Sequence, residues 1–203
     1  TGSELAALIL EAKLVKELQP IYNRQLRRVS SYALLMKEEV DGYATIRVQS
    51  GKIDETTQLE KVYGLYETRT KAKRQLDLLT RTFQLCPKLM GLEKTKSTCF
   101  SHSLGRCKGA CAGKEGKALY NRRFEVALER QRVALWPYET PVAVPLDADN
   151  NGVVINNWMI QGFYEAGDPT TLQSFESTFD VDEYKIIRRF IRENMQRIMP
   201  LWA

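Results

Sequence analysis

The feature that most constrains this chain is its cysteine content, because all four cysteines fall in one short stretch. Cys86, Cys99, Cys107 and Cys111 follow the spacing C-x12-C-x7-C-x3-C in a chain of 203 residues. Thiolates are preferred ligands of zinc and of iron–sulfur clusters, and four of them complete one site. Glycines at positions 105, 109 and 113 allow the backbone to wrap closely around an ion. The neighbouring cations, which would stabilise an anionic site, are Lys88, Lys94, Lys96, Arg106, Lys108 and Lys114.

Three interpretations of the cysteines are open. A metal or cluster site is favoured by the spacing, and the absence of a C-x2-C pair makes zinc less favoured than a cluster. Free structural thiols are the second interpretation, since cysteine often acts as a small buried hydrophobe. Disulfides are the least favoured, because a chain of 203 residues can bury a sufficient core without them. His102 is a further candidate ligand, although a loop histidine is more often solvated.

Composition sets broad limits on function. Hydrophobic residues make up 43% and charged residues 27%, which is typical of a soluble globular protein of one or two domains. No apolar run approaches membrane-spanning length, so we expect no membrane partner and a cytoplasmic location. The net charge is +5, with one local cluster at Arg24, Arg27 and Arg28. Basic patches of this kind track phosphates, although most surface charge only solubilises.

The first helix carries an unexpected carboxylate. Apolar residues from Leu5 to Leu18 follow helical spacing until Pro20, and Glu11 is expected on their apolar face. A buried carboxylate needs compensation, either by an ion pair or as a metal ligand. One carboxylate with waters and phosphate oxygens is a common way to hold Mg2+. Asn23, with the arginines that follow it, suits contact with phosphate.

The remaining pattern predicts an α+β fold. Strands are expected at 32–36, 43–48, 62–66, 133–136, 142–144 and 153–164, with a hairpin turn at Asp41-Gly42. Helices are expected at 70–85, 116–131 and 182–199. Trp136, Trp158 and Trp202 could stack on bases, but core packing is the commoner role of tryptophan.

Several motifs together resemble the UvrC/Cho-like GIY-YIG excinuclease family. The stretch E-L-A-A-L-I-L-E-A-K-L-V-K-E-L-Q-P-I-Y-N-R-Q-L-R-R resembles the end of a GIY-YIG nuclease domain, and F-x4-G-R-C-x-G-A-C-x-G resembles the cysteine-rich region that follows it. Later segments, including R-V-A-L-W-P-Y-E-T-P-V-A-V and F-D-V-D-E-Y-K-I-I, are similar to the Cho branch. They are similar also to proteins that join a proofreading-type exonuclease domain to a Cho-like region.

The resemblance implies an organisation in three regions. Residues 1–30 would be the C-terminal part of the nuclease domain, and 31–118 a hairpin, a helix and the cysteine-rich region. Residues 119–203 would be a Cho-like α+β region. The family's paired tyrosines and its first-helix arginine are expected upstream of Thr1, so we expect the chain to be a C-terminal fragment, inactive alone. Expected partners are DNA, a UvrB-type repair protein and upstream nuclease or exonuclease domains.

The resemblance also implies residue roles. Glu11 would bind Mg2+ or Mn2+, and Asn23 would help to orient the phosphate in the active site. The four cysteines would hold a 4Fe–4S cluster, with Zn2+ as the alternative. DNA contacts are expected from Arg24, Arg27, Arg28, Lys88, Arg106 and Lys108.

Two functional classes follow. The first is a nucleotide excision repair endonuclease that hydrolyses phosphodiesters in damaged DNA. The second is a non-catalytic module that binds DNA or a partner beside a separate 3′-5′ exonuclease domain.

Overall fold

The computed structural model describes residues 5–7, 9, 11, 31–53, 57–174 and 178–201. The chain divides into two compact units. The cysteine unit comprises Ser30–Lys52 and Thr57–Ala134, and the five-stranded unit comprises Thr1–Val29, Ile53–Thr56 and Leu135–Ala203. Both units combine helices with antiparallel sheet, so the predicted α+β class is confirmed. No helix among the described residues has the length and apolar character that crossing a membrane requires.

A three-stranded antiparallel sheet forms one side of the cysteine unit. Strands β1 (Tyr32–Val40) and β2 (Tyr43–Gly51) form the predicted hairpin, and β3 (Val62–Tyr66) pairs with the other edge of β1. The hairpin turn has positive φ at both central residues, 51° at Asp41 and 80° at Gly42. Asp-Gly tolerates this left-handed backbone, and such turns match the twist of paired strands. The sequence-based prediction of hairpin and third strand is confirmed.

Two helices cover this sheet. Helix α1 (Arg69–Thr82) begins after Thr68, whose side chain accepts a hydrogen bond from the Lys71 backbone N–H at 3.2 Å. A four-residue helix, α2 (Phe100–Ser103), follows in the cysteine stretch, which runs from Cys86 to Cys111. Helix α3 (Lys117–Leu128) continues into a 3-10 turn. The largest fully buried side chains of this unit's core are Leu35, Leu76, Leu85, Met90, Tyr120, Phe124 and Leu128.

The five-stranded unit is built around an antiparallel sheet of order β7-β6-β5-β4-β8. Its strands are β4 (Val142–Pro145), β5 (Gly152–Asn156), β6 (Met159–Glu165), β7 (Asp168–Ser174) and β8 (Met199–Pro200).

Two of the predicted strands were inaccurate, and one strand of this unit besides the short β8 was not predicted. The segment 133–136 is not a strand, and the segment 153–164 is two strands rather than one. The chain reverses at Asn157 and Trp158, both in left-handed backbone at φ 48° and 65°. The apolar character of the segment continues through this turn because Trp158 is buried there. Strand β7 was not predicted, because most of its side chains are exposed and polar.

Helix α4 (Val181–Glu193) is shorter than the predicted helix 182–199. It begins at Asp180, whose carboxylate accepts hydrogen bonds from two backbone N–H groups of the first turn, at 2.9 and 3.0 Å. It ends at Asn194, whose backbone leaves helical geometry at φ −130° and whose side chain donates to the Phe190 carbonyl at 3.0 Å.

Trp158 packs in the protein interior, as expected for a tryptophan, and is 3% exposed. Its ring meets Trp136 and Tyr184 edge to face, at centroid distances of 5.0 and 5.3 Å. Trp136 itself is half-buried, and Trp202 lies outside the described residues. The division into regions 1–30, 31–118 and 119–203 stays a prediction, and by packing α3 belongs to the cysteine unit.

Candidate metal centre

The turn that ends α1 places Cys86 in the core of the cysteine unit. Gln84 adopts a left-handed backbone at φ 48°, and the next residue's N–H returns to the Thr80 carbonyl at 2.9 Å. This closure stops the helix before the predicted end at residue 85. Cys86, which follows directly, is 1% exposed.

The segment after Cys86 is fastened to the hairpin. The backbone N–H of Ile46 in β2 donates to the Leu89 carbonyl at 3.2 Å. Gly91 has φ +66°, and a Cβ at this position would lie 2.7 Å from the Ile46 carbonyl oxygen. Only glycine therefore permits this approach of the two backbones.

Cys99 directly precedes α2 and contacts the cysteines on both sides of it in the sequence. Its Sγ lies 3.8 Å from that of Cys86 and 3.5 Å from that of Cys107. Its backbone N–H donates to the Cys111 Sγ at 3.3 Å. Cys99 is thus the central member of the cysteine cluster.

Cys111 lies on a 3-10 turn (Ala110–Ala112) between two glycines in left-handed backbone. Gly109 has φ +76°, and a Cβ there would lie 2.7 Å from Cε1 of His102. The imidazole therefore packs directly on the glycine backbone. Its Nδ1 atom is buried without a hydrogen-bond partner. His102 is not part of the group formed by Cys86, Cys99 and Cys111 that could hold a metal.

The sulfur positions fit a thiolate metal site. All four cysteines are free thiols, and the sulfurs of Cys86, Cys99 and Cys111 lie within 4.8 Å of one another. A tetrahedral zinc site with Zn–S bonds of about 2.3 Å requires sulfurs about 3.8 Å apart. The sulfurs of Cys86, Cys99 and Cys111 suit one such ion, whereas Cys107 contacts Cys99 but is not part of that group. A cluster, in which each iron takes its own cysteine ligand, requires the sulfurs to move apart.

The thiols differ in how readily they lose a proton. Burial raises the pKa of Cys86 and of Cys99 to about 12. Burial also acts to raise the pKa of Cys111, but hydrogen bonds from the Cys99 backbone and from the neighbouring thiols, together with the charge of Lys88, outweigh it and lower that pKa. Cys111 is thus more readily deprotonated than Cys86 and Cys99, and a bound cation would favour deprotonation of those two thiols.

The cations predicted to bind DNA have different environments. The Lys88 ammonium donates to the backbone carbonyl of Ser97 at 2.8 Å, so it fastens the loop beside Cys111. Arg106 and Lys108 are exposed, and neither forms an ion pair within the described part of the chain. Lys88 therefore has a positioning and electrostatic role that its sequence position did not reveal.

The predicted catalytic residues are only partly described. Glu11 is helical and exposed, as is Ala7 one turn before it, whereas Leu5 and Ile9 are buried. The expectation that Glu11 lies on the apolar face was wrong, because the buried face of this helix passes through Leu5 and Ile9. Asn23, Arg24, Arg27 and Arg28 lie outside the described residues.

An ion pair that the sequence did not indicate supports the cysteine stretch. Glu115 is 7% exposed, and Arg123 of α3 contacts both of its carboxylate oxygens. The same guanidinium donates to the Gln84 carbonyl at 3.2 Å, next to Cys86. These contacts connect residues just after Cys111 with residues just before Cys86. No local pattern marks them, since Glu115 and Arg123 are eight residues apart and Gln84 is 39 residues from Arg123.

Comparisons with known proteins agree on one family. Residues 33–130 match the family model described as "UvrC/Cho excinuclease, middle domain", and this match falls within the segment 30–134 that holds the cysteine unit. "Excinuclease cho" of Salmonella typhi is 33% identical over 206 residues, covering 99% of this chain and 69% of that protein. "Excinuclease cho" of Escherichia coli K12 is 34% identical over 192 residues, covering 92% and 64%. "UvrABC system protein C" of Alcanivorax borkumensis is 30% identical over 131 residues, covering 64% and 21%.

The chain thus spans about two thirds of the length of the Cho relatives that it matches. No solved structure matches it.

Proposed function

Because the chain belongs to the UvrC/Cho excinuclease family, we propose that it is part of a DNA repair endonuclease that incises damaged DNA in nucleotide excision repair. The similarity to "Excinuclease cho" over 99% of the chain carries this proposal. The reaction proposed is hydrolysis of a phosphodiester bond by a GIY-YIG nuclease domain, to which residues 1–30 would contribute. A UvrB-type repair protein is the partner proposed.

Glu11 is proposed as the residue that holds Mg2+ or Mn2+. Its exposed carboxylate is accessible to a hydrated ion and to phosphate oxygens, which suits the way proteins hold magnesium. When bound, the ion supplies Lewis-acid polarisation of the phosphate. Asn23 is proposed to orient that phosphate.

The test replaces Glu11 with Gln in the full natural protein and measures nicking of a damaged duplex at varied Mg2+ concentration. The substitution keeps the side-chain volume and removes the charge, so we expect incision to fall by more than about 100-fold, the range for losing an essential electrostatic group. Glu39→Gln, at an exposed carboxylate in β1, is the matched control and should incise normally. Normal incision by Glu11→Gln would contradict the proposed metal ligand.

DNA contact is proposed for Arg24, Arg27, Arg28, Arg106 and Lys108, with Lys88 contributing mainly through the loop that it fastens. Each phosphate neutralised contributes a slope of about −0.9 to log K against log salt on duplex DNA. Arg106→Ala with Lys108→Ala should therefore weaken binding and make the slope shallower by up to about 2. Binding by the natural protein without any incision of damaged DNA would instead favour a non-catalytic module.

The cysteine cluster is proposed to hold a structural metal centre. The family resemblance favours a 4Fe–4S cluster, and the close spacing of the Cys86, Cys99 and Cys111 sulfurs supports one zinc ion with Cys107 as the fourth ligand if it moves closer. Anaerobic purification with visible absorption and metal analysis distinguishes them. About four irons per chain with a brown colour identifies the cluster, and about one zinc without colour identifies the single ion. Four freely titrating thiols and no metal would contradict both.

A further inference from the structure

Helix α3 presents apolar side chains on two opposite faces. Tyr120, Phe124 and Leu128 are fully buried in the core of the cysteine unit. On the other side, Leu119 is 69% and Val126 is 55% exposed. An ordinary surface helix has one apolar stripe, and a helix that is apolar on both sides is usually covered on both. The outer face of α3 therefore has the character of a contact surface.

A groove runs beside this outer face. Its volume is about 570 Å³, and its walls come from α3 and from the end of the cysteine stretch. The residues that line it are Lys108, Lys114, Glu115, Gly116, Leu119, Arg122, Arg123 and Val126.

The charge of the groove is positive. Glu115 is compensated by Arg123, so this carboxylate does not neutralise other cations. Lys108, Lys114 and Arg122 are exposed and have no ion-pair partner among the residues that the structure describes. The groove thus combines two exposed aliphatic side chains with three uncompensated cations.

We propose that this groove docks an acidic amphipathic helical segment of a partner protein. Aliphatic residues of that segment pack on Leu119 and Val126, and its carboxylates face Lys114 and Arg122. Lys108, at the edge of the groove, is shared with the proposed DNA contact. Helix-in-groove recognition uses this combination of an apolar stripe and flanking charges. Nucleic acid would satisfy the cations only, because phosphates gain nothing from exposed leucine and valine side chains. The proposal is independent of the metal ligand at Glu11 and of incision.

The test measures fluorescence anisotropy of a labelled synthetic helical peptide with a leucine stripe at i, i+3, i+4 and i+7 and glutamates elsewhere. The unsubstituted protein should bind it saturably. Leu119→Ser with Val126→Ser should weaken binding at least about tenfold, the range for losing central apolar anchors. Arg122→Glu should weaken it as well. Leu78→Ser is the matched control, since Leu78 is 56% exposed on α1 and does not line the groove. It should leave binding unchanged.

Two control ligands identify the kind of partner. A peptide with serines in place of the leucines should bind at least about tenfold more weakly. A short duplex DNA should bind the Leu119→Ser, Val126→Ser protein and the unsubstituted protein with equal affinity. Circular dichroism confirms that the variants are folded. Equal binding of the leucine peptide to the unsubstituted and doubly substituted proteins would overturn the proposal. It would also be overturned if DNA competed for the groove while the leucine and serine peptides bound equally, because the surface would then recognise negative charge alone.

Discussion

At the scale of single residues, Cys99 is the centre of the cysteine cluster. Its sulfur is next to two others, and its backbone N–H donates to the sulfur of Cys111. Replacing Cys99 should therefore disturb the site more than removing one ligand at its edge. The neighbouring Phe100 differs, because its side chain is 66% exposed.

Cys99→Ser is expected to lower metal affinity by more than about 100-fold, which exceeds the loss typical of residues behind the ligands. Serine is a poor ligand for zinc or iron at neutral pH, and its shorter bond places oxygen away from the other sulfurs. Metal content after dialysis against a chelator measures the effect. Phe100→Ser is the control and should retain the metal. Full metal content in Cys99→Ser would exclude this cysteine as a ligand.

Metal uptake should also depend on pH. The pKa of Cys86 and of Cys99 is raised to about 12, so both are protonated at neutral pH and lose their protons on binding. Affinity should rise by about 100-fold per pH unit near neutrality if two protons are released. In the metal-free protein, folding stability instead falls as the pH rises above 9.0. The protonated thiols favour the folded state up to their ordinary pKa of 9.0, and this stability is lost as pH rises toward about 12.

Proton release into a weakly buffered solution measures this coupling directly. Competition with a chelator at several pH values gives the affinity. Uptake that neither releases protons nor changes with pH would contradict ligation by these two thiols.

At the scale of elements, the position of the cysteine stretch depends on its attachment to β2. Gly91 combines a positive φ of 66° with close approach to the Ile46 carbonyl. Gly105 has the same φ of 66°, but a Cβ there would meet nothing within 4 Å. Comparing substitutions at Gly91 and Gly105 therefore separates the free-energy cost of the backbone conformation from that of the contact with β2.

Gly91→Ala is expected to destabilise the protein by about 2–3 kcal/mol, against about 1 kcal/mol for Gly105→Ala. The first substitution strains the backbone and also forces the stretch away from β2, whereas the second only strains the backbone. Thermal or denaturant unfolding of the two variants measures the difference. Equal destabilisation would show that contact between Gly91 and β2 adds nothing to stability.

At the scale of the whole molecule, the cysteine unit contains both its own core and all four cysteines. Its residues form a nearly continuous segment, interrupted only by residues 53–56. Helix α3 is held to β2 by Asn121, which accepts from the Ala44 N–H at 2.8 Å and donates to the Gly42 carbonyl at 3.0 Å. The unit therefore has the elements of an independent domain.

A fragment of residues 30–134 is expected to fold on its own and to retain the metal. Its core side chains and all four cysteines lie within the segment. Unfolding followed by circular dichroism should be cooperative, and it should shift to higher temperature with metal. The intact chain provides the comparison. A fragment that stays unfolded in the presence of zinc or reconstituted iron and sulfide would show that the unit depends on the rest of the chain.

Local signals in the sequence determined much of the fold. Asp41-Gly42 predicted the hairpin, because few residue pairs tolerate its backbone, and apolar spacing predicted α1 and α3. The position of all four cysteines in one short stretch indicated that they form one set of metal ligands. The exposed position of Glu11, the turn at Asn157 and the early end of α4 were missed, since periodicity does not show which face or turn the tertiary structure buries.

Only the tertiary structure decided how the cysteine stretch is arranged. It made Cys99 central, directed Lys88 toward the loop beside Cys111, paired Glu115 with Arg123 and left Leu119 and Val126 uncovered on α3. Each of these features depends on contacts that helical or strand periodicity does not encode, or on what covers a face. The sequence specified the residues that can take part in such contacts. Packing in the core of the cysteine unit determined which of them are in contact.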